Sequence, residues 1–293
     1  MDTQKKAYLH ALTAIVAWST VASAFKITLR YLDHSALLFF SSLTSLLFFS
    51  ILMLVSRGGR SLIVELKKGA TPRSFFLGFL NPFLYYLVLF KAYSLLPASR
   101  AMPLNYMWPI VLVLFSALFL GQRISLNSIL AILISFLGVF LIASGRGENS
   151  PRTANIFGVF LALSSAFIWA LYWTLNLKSK KEPALRLFLN FVYGFPFVAA
   201  YYFLAGHQLK SSAGLLGAVY VGLFEMGFTF LMWLKALRYS RTTAPVNNMV
   251  YLVPFLSLLF IHLVVGENIP ASTLLGVFLI VGGIALQQRS ERM

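Results

Sequence analysis

Cysteine is absent from this 293-residue sequence, and acidic side chains are scarce: eight Asp and Glu stand against 24 Lys and Arg. The first absence excludes a disulfide framework, thiolate-bound metal and thiol catalysis, and leaves the compartment open. The second gives a formal charge of +16, a balance that in a soluble chain points to nucleic acid. Charge of either sign is nevertheless rare, at 11% of residues against 59% hydrophobic, where soluble domains are about half apolar and a quarter charged. So few charges cannot cover the surface of a soluble domain of this length. What is present instead is a series of uncharged windows of about twenty residues, long enough to cross a hydrocarbon core of about 30 Å. The basic residues fall in short runs between these windows, where they face lipid head groups and set topology. The chain reads as a polytopic membrane protein whose partner is the lipid bilayer, not nucleic acid.

Charge clusters and Gly, Pro, Asn and Ser turns divide the chain into ten spans, at residues 8–29, 35–55, 73–95, 98–120, 125–144, 155–177, 185–205, 212–238, 243–265 and 271–287. Each is apolar around most of its circumference, so a helix is expected, since an open strand leaves its backbone unsatisfied in lipid. With a cytoplasmic N-terminus, ten spans return the C-terminus to the cytoplasm. The outer ends then keep only Lys26, Arg30, Lys91, Arg100, Arg146, Arg152 and Lys210 of the 24 basic residues. That asymmetry predicts both termini on the cytoplasmic side of the membrane. Lys5-Lys6, the apolar stretch from Ala11 and Ala22-Ser23-Ala24 imitate a signal peptide. The hydrophobic stretch runs on past the Ala-x-Ala, and cleavage would break the charge pattern, so the first span is expected to stay.

The sequence repeats itself. Tyr106, Pro109, Gly121 and Ile124 recur as Tyr251, Pro254, Gly266 and Ile269 at an offset of 145, and Gly138 falls on Gly283 at the same offset. Lys91-Ala92 matches Lys235-Ala236 at 144, and Trp18 matches Trp169 at 151. Two halves of five spans, 1–145 and 146–293, follow from this. Because five is odd, the second half enters the membrane from the opposite side, which is the inverted repeat of many secondary transporters, with the site between the halves near the midplane. The fold class expected is thus an all-α membrane protein, ten transmembrane helices in two inverted five-helix repeats.

Five plus five spans, a Trp halfway along the first helix of each half, and an Asn/Pro-bearing fourth helix followed by Gly-Gln or Gly-Glu resemble the drug/metabolite transporter superfamily. Gly266-Glu267 is similar to the EamA-type turn, and Gly121-Gln122 departs from it by an amide. Leu104-Asn105-Tyr106-Met107-Trp108-Pro109 and Asn81-Pro82-Phe83-Leu84-Tyr85-Tyr86 look most like the bacterial aromatic amino acid exporters. The resemblance covers residues 8–287. It implies outward transport of Phe, Tyr, Trp or related metabolites, with export of flat lipophilic cations as the alternative. It also implies that helices one, three, four, six, eight and nine line the site.

Depth selects the candidates for that site. Tryptophan in membrane proteins favours the head-group level, yet Trp18 and Trp108 lie within roughly 2 Å of mid-span and Trp169 within about 5 Å, at 1.5 Å per residue. Trp233, near the cytoplasmic end of its span, reads as an interface anchor. Asn81 and Tyr85 share a helix face with Tyr86 beside them, and Asn105 shares one with Trp108. Asn247 and Asn248 take nearly the register of Met102-Pro103 in the other half. These amides and phenols suit the ammonium and carboxylate of a zwitterion, or else interhelical hydrogen bonds. Glu225 is the one acid well inside a span. A charge there costs on the order of 3 kcal/mol, so it should face protein or water, either in proton coupling, in binding a substrate ammonium, or paired with Lys26 or Lys91. Pro82, Pro109, Pro196 and Pro254 favour kinks, and Pro109 and Pro254, equivalent in the two halves, are expected as hinges. Ala162, Ala166 and Ala170 form a ridge that permits close helix packing.

Rival classes have little to stand on. There is no HExxH, no GxSxG and no acid-rich metal motif, and His10, His34, His207 and His262 are isolated. No catalytic residue, metal or cofactor is expected. An inverted repeat favours alternating access over a channel, and without an ATP-binding signature the energy comes from a substrate or ion gradient.

Overall fold

The computed structural model describes residues 3–120, 126–144, 152–177, 181–204, 211–240, 246 and 249–290. Among them there is helix and turn but no strand, as a lipid solvent requires of an unclosed backbone. The elements in chain order are α1 (Thr3–Thr28), α2 (His34–Arg57), α3 (Gly59–Gly69), α4 (Pro72–Leu95), α5 (Ala98–Phe119), α6 (Leu126–Ser144), α7 (Arg152–Leu177), α8 (Pro183–Leu204), α9 (Ala213–Tyr239), α10 (Leu252–Val265) and α11 (Ala271–Ser290). Seven described helices are long and apolar enough to cross a membrane: α1, α2, α4, α5, α8, α9 and the Ile156–Leu175 part of α7. At the other three expected spans the described apolar helices are shorter: Ile129–Ser144, Leu252–Val265 and Ala271–Leu286.

Local chemistry sets the ends. Asp33 caps α2 by accepting from the Ser35 and Ala36 amides at 3.0 and 2.8 Å, and Gly58 at φ 74° stops the same helix. Thr71 accepts from the Ser74 amide at 3.2 Å and Pro72 begins α4, where a missing N–H costs nothing. Helix α3 was not among the expected elements. Read from the sequence, it is part of an inside charge run. Its backbone is helical, with Leu62 buried, Ile63 and Val64 exposed, and Lys67 and Lys68 in its last turn. The Tyr193 hydroxyl donates to Leu66 O at 2.5 Å, which fixes it against α8.

Two helices are interrupted at matching places. Residues Phe79–Leu84 of α4 and Gly222–Gly227 of α9 form wide turns, each with one residue far from helical backbone angles: Asn81 (φ −148°, ψ 118°) and Gly227 (φ −115°, ψ −94°). In α4 the cause is Pro82, which follows Asn81 through a cis peptide bond and has no N–H to continue the ladder. In α9 the displaced carbonyls find side chains, as they must in lipid. Gly222 O accepts from the Ser45 hydroxyl at 2.7 Å and Phe224 O from the Thr229 hydroxyl at 2.6 Å.

Packing follows the same repetition. Gly78 and Gly222 stand 144 residues apart, and each lets a backbone approach that a Cβ would block: Asn190 and Gly194 of α8 at the first, Ser41 and Thr44 of α2 at the second. Between α6 and α11, Gly138 meets Gly276, and Gly283 meets Ala131. An offset of 145 turns one of these contacts into the other, and the Ser135 hydroxyl donates to the carbonyl of its own counterpart, Ile280, at 3.4 Å.

One end of the bundle is tied by charge on helix termini. Lys26 donates to Tyr93 O and Leu96 O at 3.0 and 2.6 Å, at the end of α4. Arg100 donates to Ala143 O at 2.9 Å, at the end of α6. Cations at helix C-termini and anions at N-termini are both favourable. The second case is Glu267, whose two oxygens accept from the Ala98 and Ser99 amides at 2.8 and 2.9 Å. Arg30 completes the set by donating to Val265 O at 3.2 Å. At the opposite end Arg57 pairs with Glu182 at 2.8 Å and Arg73 donates to Leu175 O at 2.7 Å.

Candidate functional site: an aromatic wall with one carboxylate

Four of the five expected aromatic residues, Trp18, Tyr85, Tyr86 and Trp169, come together. Trp169 of α7 stacks on Tyr85 of α4 (4.5 Å between centroids, 27°) and on Tyr172 of its own helix (5.5 Å, 26°). Phe230 of α9 continues the wall, 6.1 Å from Trp169 and 5.6 Å from Trp18 of α1, to which it presents an edge. Offset and edge contacts of this kind add about 0.5–1.5 kcal/mol each beyond area burial. Trp169 is buried at 7% exposure, whereas Trp18 is half-buried. Trp108, the fifth, is half-buried against the core and makes no ring contact among the described residues.

Polar atoms border the wall. Asn105 of α5 donates to the Ser165 hydroxyl at 2.8 Å and accepts a long bond, 3.4 Å, from the Tyr85 hydroxyl. The Tyr86 hydroxyl donates to Glu225 at 3.2 Å, with the Tyr86 ring 4.7 Å from that of Tyr85. Asn190 donates to the Tyr172 hydroxyl at 2.7 Å. Asn81 is 2% exposed in the wide turn of α4, and its side-chain oxygen has no hydrogen-bond partner among the described residues. Asn247 and Asn248 lie outside the described residues.

The Trp233 ring lies 5.5 Å from that of Trp18, and Trp233 packs against Ala7 and Ala11 near the start of α1. The structure corrects one expectation. Glu225 does not pair with Lys26, which is bound to Tyr93 O and Leu96 O, nor with Lys91; no ion pair to it occurs among the described residues. Pro109 and Pro254, the expected hinges, fall in the first turns of Trp108–Leu120 and Leu252–Phe260, each just after a break in the helix, at Tyr106–Met107 and Val250–Tyr251. The two breaks touch, the Tyr106 hydroxyl donating to Val250 O at 3.1 Å.

Phe230, Tyr172 and Ser165 were not foreseen. For Tyr172 a signal existed, since it follows Trp169 by three residues and therefore shares its face. A second signal is in the repeat: the 144 register of Lys91 and Lys235 also places Asn81 on Glu225, so the two wide turns carry their polar side chains at the same point.

This arrangement is a set of membrane-type helices around an aromatic, sparsely polar interior, the construction of a small-solute carrier. The chain belongs to the EamA-like transporter family, whose profile matches residues 5–144 and again residues 156–287. Among similar proteins is an uncharacterized transporter of Archaeoglobus fulgidus, 26% identical over 98% of this chain and 100% of its own length. The aromatic amino acid exporter YddG of Escherichia coli is 25% identical over 97% of both chains. The exporter of the same name from Ancylobacter novellus is 27% identical over 69% of this chain and 71% of its own. A crystal structure 22% identical in sequence shares the fold, with a TM-score of 0.69 over 98% of this chain and 97% of that one.

Proposed function

We propose that the protein exports aromatic amino acids or closely related metabolites from a bacterial cytoplasm. Its ten membrane helices form two inverted repeats, residues 1–145 and 146–293, that open alternately to the two sides. Both termini are cytoplasmic. The observation that carries this reading is the ring wall itself. Tyr85 and Trp18 belong to the first half, Trp169 and Phe230 to the second, so the rings meet where the halves meet. An indole or phenyl side chain bound there gains ring contacts, while Asn81, Asn105 and Tyr86 stand close by for its charged groups. Two similar exporters named for aromatic amino acids support the same substrate class.

Export of a lipophilic cation is the second reading. Glu225 favours it, because a carboxylate beside aromatic faces is also a receptor for a cation. Counterflow in liposomes separates the two. Vesicles holding the purified chain and preloaded with unlabelled L-tryptophan should transiently accumulate labelled L-tryptophan, saturably. Counterflow of tetraphenylphosphonium alone would establish the cation reading, and an absence of counterflow with both would contradict transport of either class.

A further inference from the structure

Glu225 has surroundings of unusual chemistry. It lies in the wide turn of α9, half-buried, with one hydrogen bond, from Tyr86, among the described residues. From α4 the Tyr86 hydroxyl touches it, and the other ionisable groups of α4 and α5 that interact with it electrostatically are also phenols, Tyr85, Tyr93 and Tyr106. From α2 come the uncharged Thr44 and Ser45, packed on Gly222. Helix α1 carries Lys5, Lys6 and His10 near its start, His10 against the Tyr239 ring, and Lys26 near its end, bound to carbonyls; none of the three lysines pairs with Glu225 among the described residues. On α7 the Tyr172 hydroxyl is held by Asn190. No described cation therefore neutralises this carboxylate.

An uncompensated carboxylate inside a membrane bundle costs several kcal/mol, so it needs either a proton or a cation brought by a ligand. It cannot hold both, because the oxygen that carries the proton no longer attracts the cation as a charge. The neighbouring rings of Tyr85 and Trp169 offer π faces to the same cation. At the matching point of the other half stands Asn81, polar and neutral, so the repeat supplies one titratable group and not two.

We infer that Glu225 is a shared site for one proton and for the ammonium group of the transported solute, making the carrier an exchanger of protons for aromatic amines, zwitterionic or cationic. This rests on the transport reading above. At the inner opening the solute ammonium displaces the proton, which leaves to water as the carboxylate pairs with the cation. At the outer opening the solute departs and the carboxylate takes one proton back. Each cycle carries one ammonium outward and one proton inward.

The test uses the full-length chain in detergent, with phenethylamine and L-phenylalanine as probes. Quenching of the intrinsic fluorescence of the five tryptophans reports binding, and a pH dye in weak buffer reports released protons. The wild type should release close to one proton per chain on saturation. Glu225→Gln should release none while still being quenched, Tyr86→Phe should move the pH of half-maximal release, and Glu182→Gln, altering an exposed ion pair, should release as the wild type does. Quenching without proton release by the wild type overturns the inference and leaves the transport reading standing. Absence of quenching by both probes overturns the aromatic-site reading and this inference with it.

Discussion

Trp169 is the residue on which the wall depends, because it alone has one ring face on Tyr85 and further contacts to Tyr172, Trp173 and Phe230. Replacing it by Ala removes those contacts and opens a cavity, a change that costs about 3–5 kcal/mol in a packed core. Trp169→Ala is expected to lower L-tryptophan counterflow at least about tenfold, one decade being about 1.4 kcal/mol of lost binding. Trp169→Phe should recover part of it at equal protein content of the vesicles, measured by immunoblot. Tyr85→Phe should cost little, because the hydroxyl bond it deletes is long at 3.4 Å and such bonds contribute about 1 kcal/mol at best. Glu267 acts differently. Its carboxylate caps α5 across the bundle through two amides, so Glu267→Ala should lower thermal stability by about 1 kcal/mol, with a smaller loss for Gln.

At the scale of elements, the wide turns and glycine contacts decide how the helices meet. A methyl group at Gly78 or Gly222 runs into backbone of the helix opposite, whereas one at Gly282 meets nothing within 4 Å. Gly78→Ala and Gly222→Ala are therefore expected to destabilise by about 1–3 kcal/mol, and Gly282→Ala to be neutral or slightly stabilising; scanning fluorimetry compares all three. The positions of the apolar helices were legible in the sequence because hydropathy over twenty residues reports burial in lipid directly. The wide turns were not, since a one-residue insertion leaves hydropathy unchanged while turning every later side chain. This is why Trp18 and Trp169 were found by depth alone. Pro109 and Pro254 mark helix starts, where φ near −65° is pre-set and no N–H is missed, and the actual breaks lie two to four residues earlier. Helix α3 was hidden because charge dominates its composition, although Leu62 and Leu66 share a face.

For the whole molecule, the matching contacts Gly138–Gly276 and Ala131–Gly283, the Ser135–Ile280 bond and the paired wide turns are what two related halves facing one another would produce. Their opposite insertion is the claim from which the site follows, because only then do α4 and α9 bring Tyr86 and Glu225 to a common depth. The sequence provides an unusually direct way to test it, having no cysteine of its own. Single cysteines at Lys5, Lys67, Arg289 and, for the outer face, Lys91 and Lys210 can be challenged in sealed inside-out and right-side-out vesicles with a membrane-impermeant maleimide. The account predicts that Lys5→Cys, Lys67→Cys and Arg289→Cys react only from the cytoplasmic face and Lys91→Cys and Lys210→Cys only from the other. Labelling of Lys5→Cys and Arg289→Cys from opposite faces would contradict it.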